Sequence, residues 1–196
     1  MNKATLNNTW IAAVAIAILS VPPLARPAET WDLQQLMAAL AQVPARESRY
    51  NEKKTLALFK APAESSGVLS YRRPDHVEKH VLQPKDEAIS VDGDQLTWSG
   101  ANGRKRSLRL QDNAVAAALV NSIRATLAGD LPALQRYFTV KLDGAQAHWT
   151  LALTPIDDAL RRNMQSMRIE GSGDHVASIE VLESGGDRSL MSIEDH

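Results

Sequence analysis

Two histidines, His76 and His80, stand four residues apart. On a helix that spacing puts both imidazoles on one face, where they could hold zinc. The residues around them alternate as a strand does, and there the two lie roughly 13 Å apart, at about 3.3 Å per residue. The residues between them, Val77, Glu78 and Lys79, do not make HExxH, so a pair of histidines on the polar face of an exposed strand is expected. Asp157 and Asp158 could imitate a catalytic carboxylate pair, but adjacent acids after Pro155 suit a cap on the turn or helix that follows. The serines lack a GxSxG elbow, and no glycine-rich strand-to-helix turn is present to cradle phosphate. Arg104, Lys105 and Arg106 follow the Asn102-Gly103 turn and suit a solvated hairpin. With no nucleophile, base and oxyanion donors assembled, the sequence reads as a binder and not an enzyme. No cofactor and no metal is expected.

Composition narrows the partners. The chain has 196 residues, with 22 Lys and Arg against 23 Asp and Glu, a net charge of −1. That balance gives no electrostatic footprint for nucleic acid. The absence of cysteine removes thiolate chemistry, disulfides and Cys-based metal sites. At the N-terminus Lys3 is the one charge before Arg26, Trp10 to Val21 is an apolar run broken by Ser20, and Pro22-Pro23 stops any helix. This is the pattern of a secretory signal, and it is short for a membrane span. Residues 1–25 are expected to be a signal peptide and residues 26–196 a single domain. No Cys stands near residue 25 to make the chain a lipoprotein itself.

The elements that would position a binding surface follow from periodicity. Leu33, Leu36, Met37 and Leu40 predict a helix, with Thr30 as N-cap and Asp32 in its first turn. Arg49 to Phe59 predicts a strand with Tyr50, Leu56 and Leu58 on one parity. Leu69 and Tyr71 share a face, as do Val77, Lys79 and Val81, and Asp92-Gly93-Asp94 is a strong hairpin signal. Asn113 to Ala128 predicts a helix with Ala116, Leu119, Val120, Ile123 and Leu127 on one side, closed by Gly129, and a short helix capped by Asp130. Strands resume with Phe138, Val140 and Leu142, turn at Asp143-Gly144, and continue through Trp149, Leu151 and Leu153 to the last strand at Met191 and Ile193. About nine or ten antiparallel strands need a second layer, and the helices are the candidates to supply it. The fold class is therefore α+β, mostly β, a curved sheet with helices over its open side. Periodicity alone fits a filled core as well as a ligand cavity.

One stretch adds to this. Gly67-Val-Leu-Ser-Tyr-Arg-Arg-Pro-Asp75, then Val77-Glu-Lys-His-Val81, Gln83-Pro84 and Ser90-Val-Asp-Gly-Asp-Gln-Leu-Thr-Trp98 resembles the periplasmic outer-membrane lipoprotein carrier family, the LolA-like proteins. The resemblance implies an incomplete antiparallel β-barrel closed by a helical lid, with an apolar cavity for acyl chains. It implies a periplasmic carrier that shelters a lipoprotein or lipid between inner and outer membranes. Its expected partners are an acylated cargo, an inner-membrane donor complex and an outer-membrane acceptor, and it is expected to act as a monomer. The lipid-binding residues would be Tyr50, Leu69, Tyr71, Val77, Val81, Trp98, Leu119, Ile123, Leu127, Trp149 and Leu151. Arg73 matches the family arginine before the proline, which helps to close the lid; by its parity with Leu69 and Tyr71 it would point inward, onto helix-end carbonyls. Without the resemblance Arg73 is as well explained as an exposed strand-end arginine. The chain ends at Asp195-His196 without the further segment of members that hand over to a receptor, which leaves room for another acylated cargo such as a lipid-linked polyene. A lipid-sensing regulatory module of the envelope with the same half-barrel is the alternative.

Overall fold

A computed structural model describes residues 31–58 and 61–195; the expected signal peptide and Thr30 lie outside the described residues. Among these residues eleven strands form one antiparallel sheet: β1 (Ala45–Thr55), β2 (Ala63–Arg72), β3 (His76–Gln83), β4 (Glu87–Asp92), β5 (Gln95–Gly100), β6 (Lys105–Arg109), β7 (Phe138–Ala145), β8 (His148–Pro155), β9 (Met164–Ser172), β10 (His175–Glu183) and β11 (Arg188–Asp195). Their order is β6-β5-β4-β3-β2-β1-β11-β10-β9-β8-β7, so the first and last strands of the chain pair in the middle. The sheet is open between β6 and β7. The segment that joins these two edges carries a 3-10 turn (Leu110–Asp112) and the helices α2 (Ala114–Ala128) and α3 (Leu131–Gln135). Helix α1 (Leu33–Leu40) precedes the sheet, and α4 (Asp158–Arg161) links β8 to β9.

Local chemistry explains most boundaries. Asp32, not Thr30, caps α1, because Gln35 at the third helical position returns a bond to the Asp32 amide and completes a capping box. Asn113 caps α2 through the Ala116 amide, and Asp157 caps α4 through the Leu160 amide. Gly129 closes α2 at φ +68°, in the left-handed region. A Cβ there would also sit 2.1 Å from the Met37 carbonyl oxygen, so glycine lets α1 and α2 cross closely. Two expectations shift. Strand β1 ends at Thr55, and Leu58 is exposed beyond it. Asp143 and Gly144 lie within β7, paired with Thr150 and Trp149, so the hairpin turns at Gln146-Ala147 instead.

One helix touching two distant strands proves the curvature. Ser122 of α2 packs on Met167 of β9, and Arg124 of α2 bonds the Gly93 carbonyl in the β4–β5 turn at 2.7 Å. Strands β4 and β9 are six places apart in the sheet, about 29 Å if it were flat at about 4.8 Å per strand. A helix about 10 Å wide can meet both only if the sheet curls around it.

Packing then divides the inner face into two unequal halves. Over β7–β10 the helices press Leu36, Leu40, Ala118, Leu134 and Leu160 against Phe138, Trp149, Leu151, Leu153, Met167 and Ile169, all of them buried. Over β2–β6 few inner side chains are fully covered.

Candidate functional site

The half-covered part of the sheet presents two rows of side chains in register. Tyr71, Val77, Val91, Leu96 and Leu108 run across β2 to β6, and beside them run Leu69, Lys79, Ile89, Trp98 and Arg106. Antiparallel register places each row on one face. Tyr71 and Val91 are buried, Leu69, Val77, Leu96 and Trp98 are half-buried, and Ile89 and Leu108 remain 39% and 43% exposed. Large apolar side chains left open to water on an inner face form an apolar trough. The Trp98 ring lies along its floor over Gly100, where a Cβ would come within 2.6 Å of it.

Helix α2 is tied to this side of the sheet by Arg124, which reaches the β4–β5 turn. At 100° per residue, Ala118, Ser122 and Ala125 share the side turned to the packed core, and Val120, Ile123, Arg124 and Leu127 lie on the opposite side. This corrects the single apolar face expected from the sequence. The small residues pack the core, while the bulkier Val120 and Ile123 are half-buried on the other flank. Leu119 and Leu127, also half-buried, pack against the core.

Two arginines fasten the C-terminal part of α2 to its surroundings. Arg73 follows the end of β2 and is exposed rather than turned into the interior; its Nη2 donates to the Ala128 carbonyl at 3.1 Å and to the Ala41 carbonyl just beyond α1. Helix-end carbonyls are unpaired acceptors at the negative pole of the dipole, so a cation is favoured there. Arg124 donates Nη1 to the Gly93 carbonyl, and its Nη2 stands 3.4 Å from Asp75 in the β2–β3 turn. Sequence reasoning missed Arg124; its signal was being the one charged residue within α2.

The other end of the strands is polar. Glu52, on the same face of β1 as Tyr50, accepts hydrogen bonds from Ser189 at 2.6 Å, from Ser65 at 3.2 Å and from Lys79. Burial would raise the Glu52 carboxyl, but the donors Lys79, Ser189 and Ser65 outweigh it and hold it below its ordinary value. Lys79 Nζ also stands 5.0 Å from the centroid of the Tyr50 ring. This network was missed because the partners come from β1, β2, β3 and β11.

The expected lipid-binding residues therefore fall into separate places. Leu69, Tyr71, Val77 and Trp98 lie on the trough rows, Val81 and Tyr50 on the next row toward Glu52, and Ile123 is half-buried on the flank of α2 away from the core. Trp149 and Leu151 are 0% exposed in the packed half, where the Trp149 indole donates to the Gly173 carbonyl at 3.0 Å. His76 and His80 point away from the trough and pair with Asp92 and Asp86 at 2.6 and 2.8 Å. A cleft of about 390 Å³ between α2 and α4, lined by Val115, Ala118, Tyr137 and Leu160, is separate from the trough.

A model of the family described as outer membrane lipoprotein carrier protein LolA-like matches residues 25–192. The chain belongs to this family. LolA-like proteins are carriers, not catalysts. Among solved structures, a LolA superfamily protein, NE2245 from Nitrosomonas europaea, is 12% identical with a TM-score of 0.45, over 86% of this chain and 93% of that one. The MucA/MucB complex of Pseudomonas aeruginosa gives 14% identity and a TM-score of 0.44, over 83% and 56%. The CwlD amidase of Clostridioides difficile in complex with the GerS lipoprotein gives 15% and 0.39, over 76% and 82%. No curated protein matches the sequence. Among the described residues no helix of this LolA-like chain is long and apolar enough to cross a membrane.

Proposed function

We propose that the protein is a periplasmic carrier that shelters the acyl chains of a lipoprotein or lipid in the trough between β2–β6 and α2 on the way from inner to outer membrane. In this reading residues 1–25 are the export signal and residues 26–196 the working domain. The observation that carries it is the two rows of mostly apolar side chains, with Ile89 and Leu108 left open on an inner face beside a helix held at one end by two arginines. Each methylene that reaches such a surface gains about 0.8 kcal/mol, so a few acyl carbons suffice for tight binding. Leu69, Val77 and Trp98 contact the cargo from below and Ile123 from above. Arg73 and Arg124 hold α2, the roof, closed, and release follows when their bonds to backbone carbonyls break.

The test is a mass spectrum of the organic-solvent extract of the protein purified from the periplasm. A defined acylated molecule in near-stoichiometric amount is expected. An extract that stays empty after incubation with lipid and with lipoprotein would refute the carrier, and a stoichiometric protein partner without lipid would favour a regulatory module.

A further inference from the structure

The polar end of the trough holds one buried donor without an acceptor among the described residues and a second that is only partly used. Tyr50 is 1% exposed on the inner face of β1, and its hydroxyl proton has no acceptor among the described residues; its neighbour Ser65 donates to Glu52. Burial pushes the phenol up, so it keeps its proton at any physiological pH. Lys79 spends one ammonium proton on Glu52 and has two more. A buried donor without an acceptor is a cost that folded proteins rarely leave standing.

The arrangement is directional. Ala45 pairs with Arg72 at the Arg73 end of β1 and β2, and Glu52 pairs with Ser65 seven residues on, about 23 Å away. Between them the inner face over β2–β6 passes from the Tyr71 row, apolar but for the Tyr71 hydroxyl, through the Leu69 row, where Lys79 stands, to Tyr50 and then Glu52 on β1; Arg46, opposite Tyr71 on β1, is paired with Asp174. An amphiphile whose chains lie on the apolar rows brings its chain-to-head linkage to Tyr50 and Lys79. The local charge is balanced, Glu52 against Lys79 and Glu183 against Lys54, so a neutral acceptor suits the site better than a free anion.

We infer that Tyr50 and Lys79, held in place by Glu52, form a carbonyl-binding site that takes the ester oxygens joining the cargo's acyl chains to glycerol. This rests on the carrier reading. The Tyr50 hydroxyl and a Lys79 N–H donate to these carbonyls, and Glu52 orients the ammonium.

The experiment compares binding of dipalmitoylglycerol, its dialkyl ether counterpart and a diacylated lipopeptide to the full chain. The first two differ only in the ester carbonyls. Wild type is expected to favour the diester by about ten-fold, the value of one good hydrogen bond to a charged or buried donor. Tyr50→Phe should bring that ratio within about two-fold, leaving affinity for the diether and the melting temperature unchanged. The double variant K79M/E52Q, which leaves no buried charge unpaired, should likewise bring the ratio within about two-fold. The lipopeptide should lose affinity in Y50F as the free diester does, since both carry the same linkage. If wild type binds diester and diether alike, or if Y50F keeps the full ratio, the inference falls and the carrier stands. If neither binds, both fall.

Discussion

Replacing Arg124 with Met removes the bonds that tie the roof to the strand turns and keeps most of the side chain's bulk. Arg124 is 15% exposed, so its bond to the Gly93 carbonyl is made out of water. Such a charge-assisted bond contributes about 1.5 kcal/mol at the lower end of its range. Its contact with Asp75, whose side chain is 45% exposed, adds only about 0.5 kcal/mol after screening. The sum, about 2 kcal/mol, corresponds to about a thirty-fold rise in the population with α2 lifted from the trough, at 1.4 kcal/mol per decade. Hydrogen exchange resolved by residue measures this directly. Amides in the C-terminal half of α2 should exchange about thirty times faster in R124M, while those of β8 and β9 keep their protection because the Trp149–Met167 packing is untouched. Bound lipid should leave faster by a comparable factor. Equal loss of protection in β8, β9 and α2 would show that Arg124 supports the whole fold; unchanged exchange in α2 would show that the roof is held by something else.

Ile123→Asp places a charge over the apolar rows and should weaken lipid binding by at least about ten-fold, with less than about 1 kcal/mol lost in urea unfolding, because the side chain is half-buried on the flank away from the core. In variants retaining a single indole, lipid with brominated acyl chains should quench Trp98 and leave Trp149 bright; quenching of Trp149 would put the cargo in the wrong half of the sheet. Gly129→Val forces a β-branched residue to φ +68° and drives its Cβ into the Met37 carbonyl, which should cost about 3 kcal/mol and lower the melting temperature by about 10 °C. Glu52 has a depressed folded pKa, so its contribution is complete above its unfolded value near 4.3 and disappears as pH falls through the lower folded value. The difference in stability between wild type and E52Q, about 1 kcal/mol at pH 7, should therefore close below about pH 4 in a denaturation series.

What could be foreseen from the sequence was what is decided locally. The hairpin at Asp92–Gln95 follows from Gly93 at positive φ, and the end of α2 from Gly129, because turn and cap chemistry need only a few adjacent residues. The choice of Asp32 over Thr30 also has a local signal, the glutamine three residues on. Trp98 and Trp149 look alike in sequence, each alternating with aliphatic residues. Their difference arises from where α1, α3 and α4 dock, which is set by contacts remote in the chain. The Glu52–Lys79 pair joins β1 to β3 through side chains 27 residues apart, and no periodicity foretells it. The two flanks of α2 were blurred because Leu119 and Leu127 are as apolar as Val120 and Ile123, and only the small residues Ala118, Ser122 and Ala125 mark the side that must pack closely.

That division of α2 bears on how a carrier can be both stable and able to let go. If stability and cargo binding used the same apolar contacts, every release would threaten the fold, because lifting the helix would expose the core. Here the core contacts are made by the small flank of α2 with β9, and by α1, α3 and α4 over β7–β10, while Val120 and Ile123 stay half-buried outside that core. The fastenings on that side are hydrogen bonds to the carbonyls of Gly93, Ala128 and Ala41, worth, with the Asp75 contact, about 2 kcal/mol at Arg124 and replaceable by water once the helix moves. Apolar contacts with the cargo are thus the main attraction across the trough, and they vanish when the cargo goes. A filled carrier should be the more closed and the more stable state, by the free energy of cargo binding, and an empty one should open at the Arg73 and Arg124 contacts without unfolding.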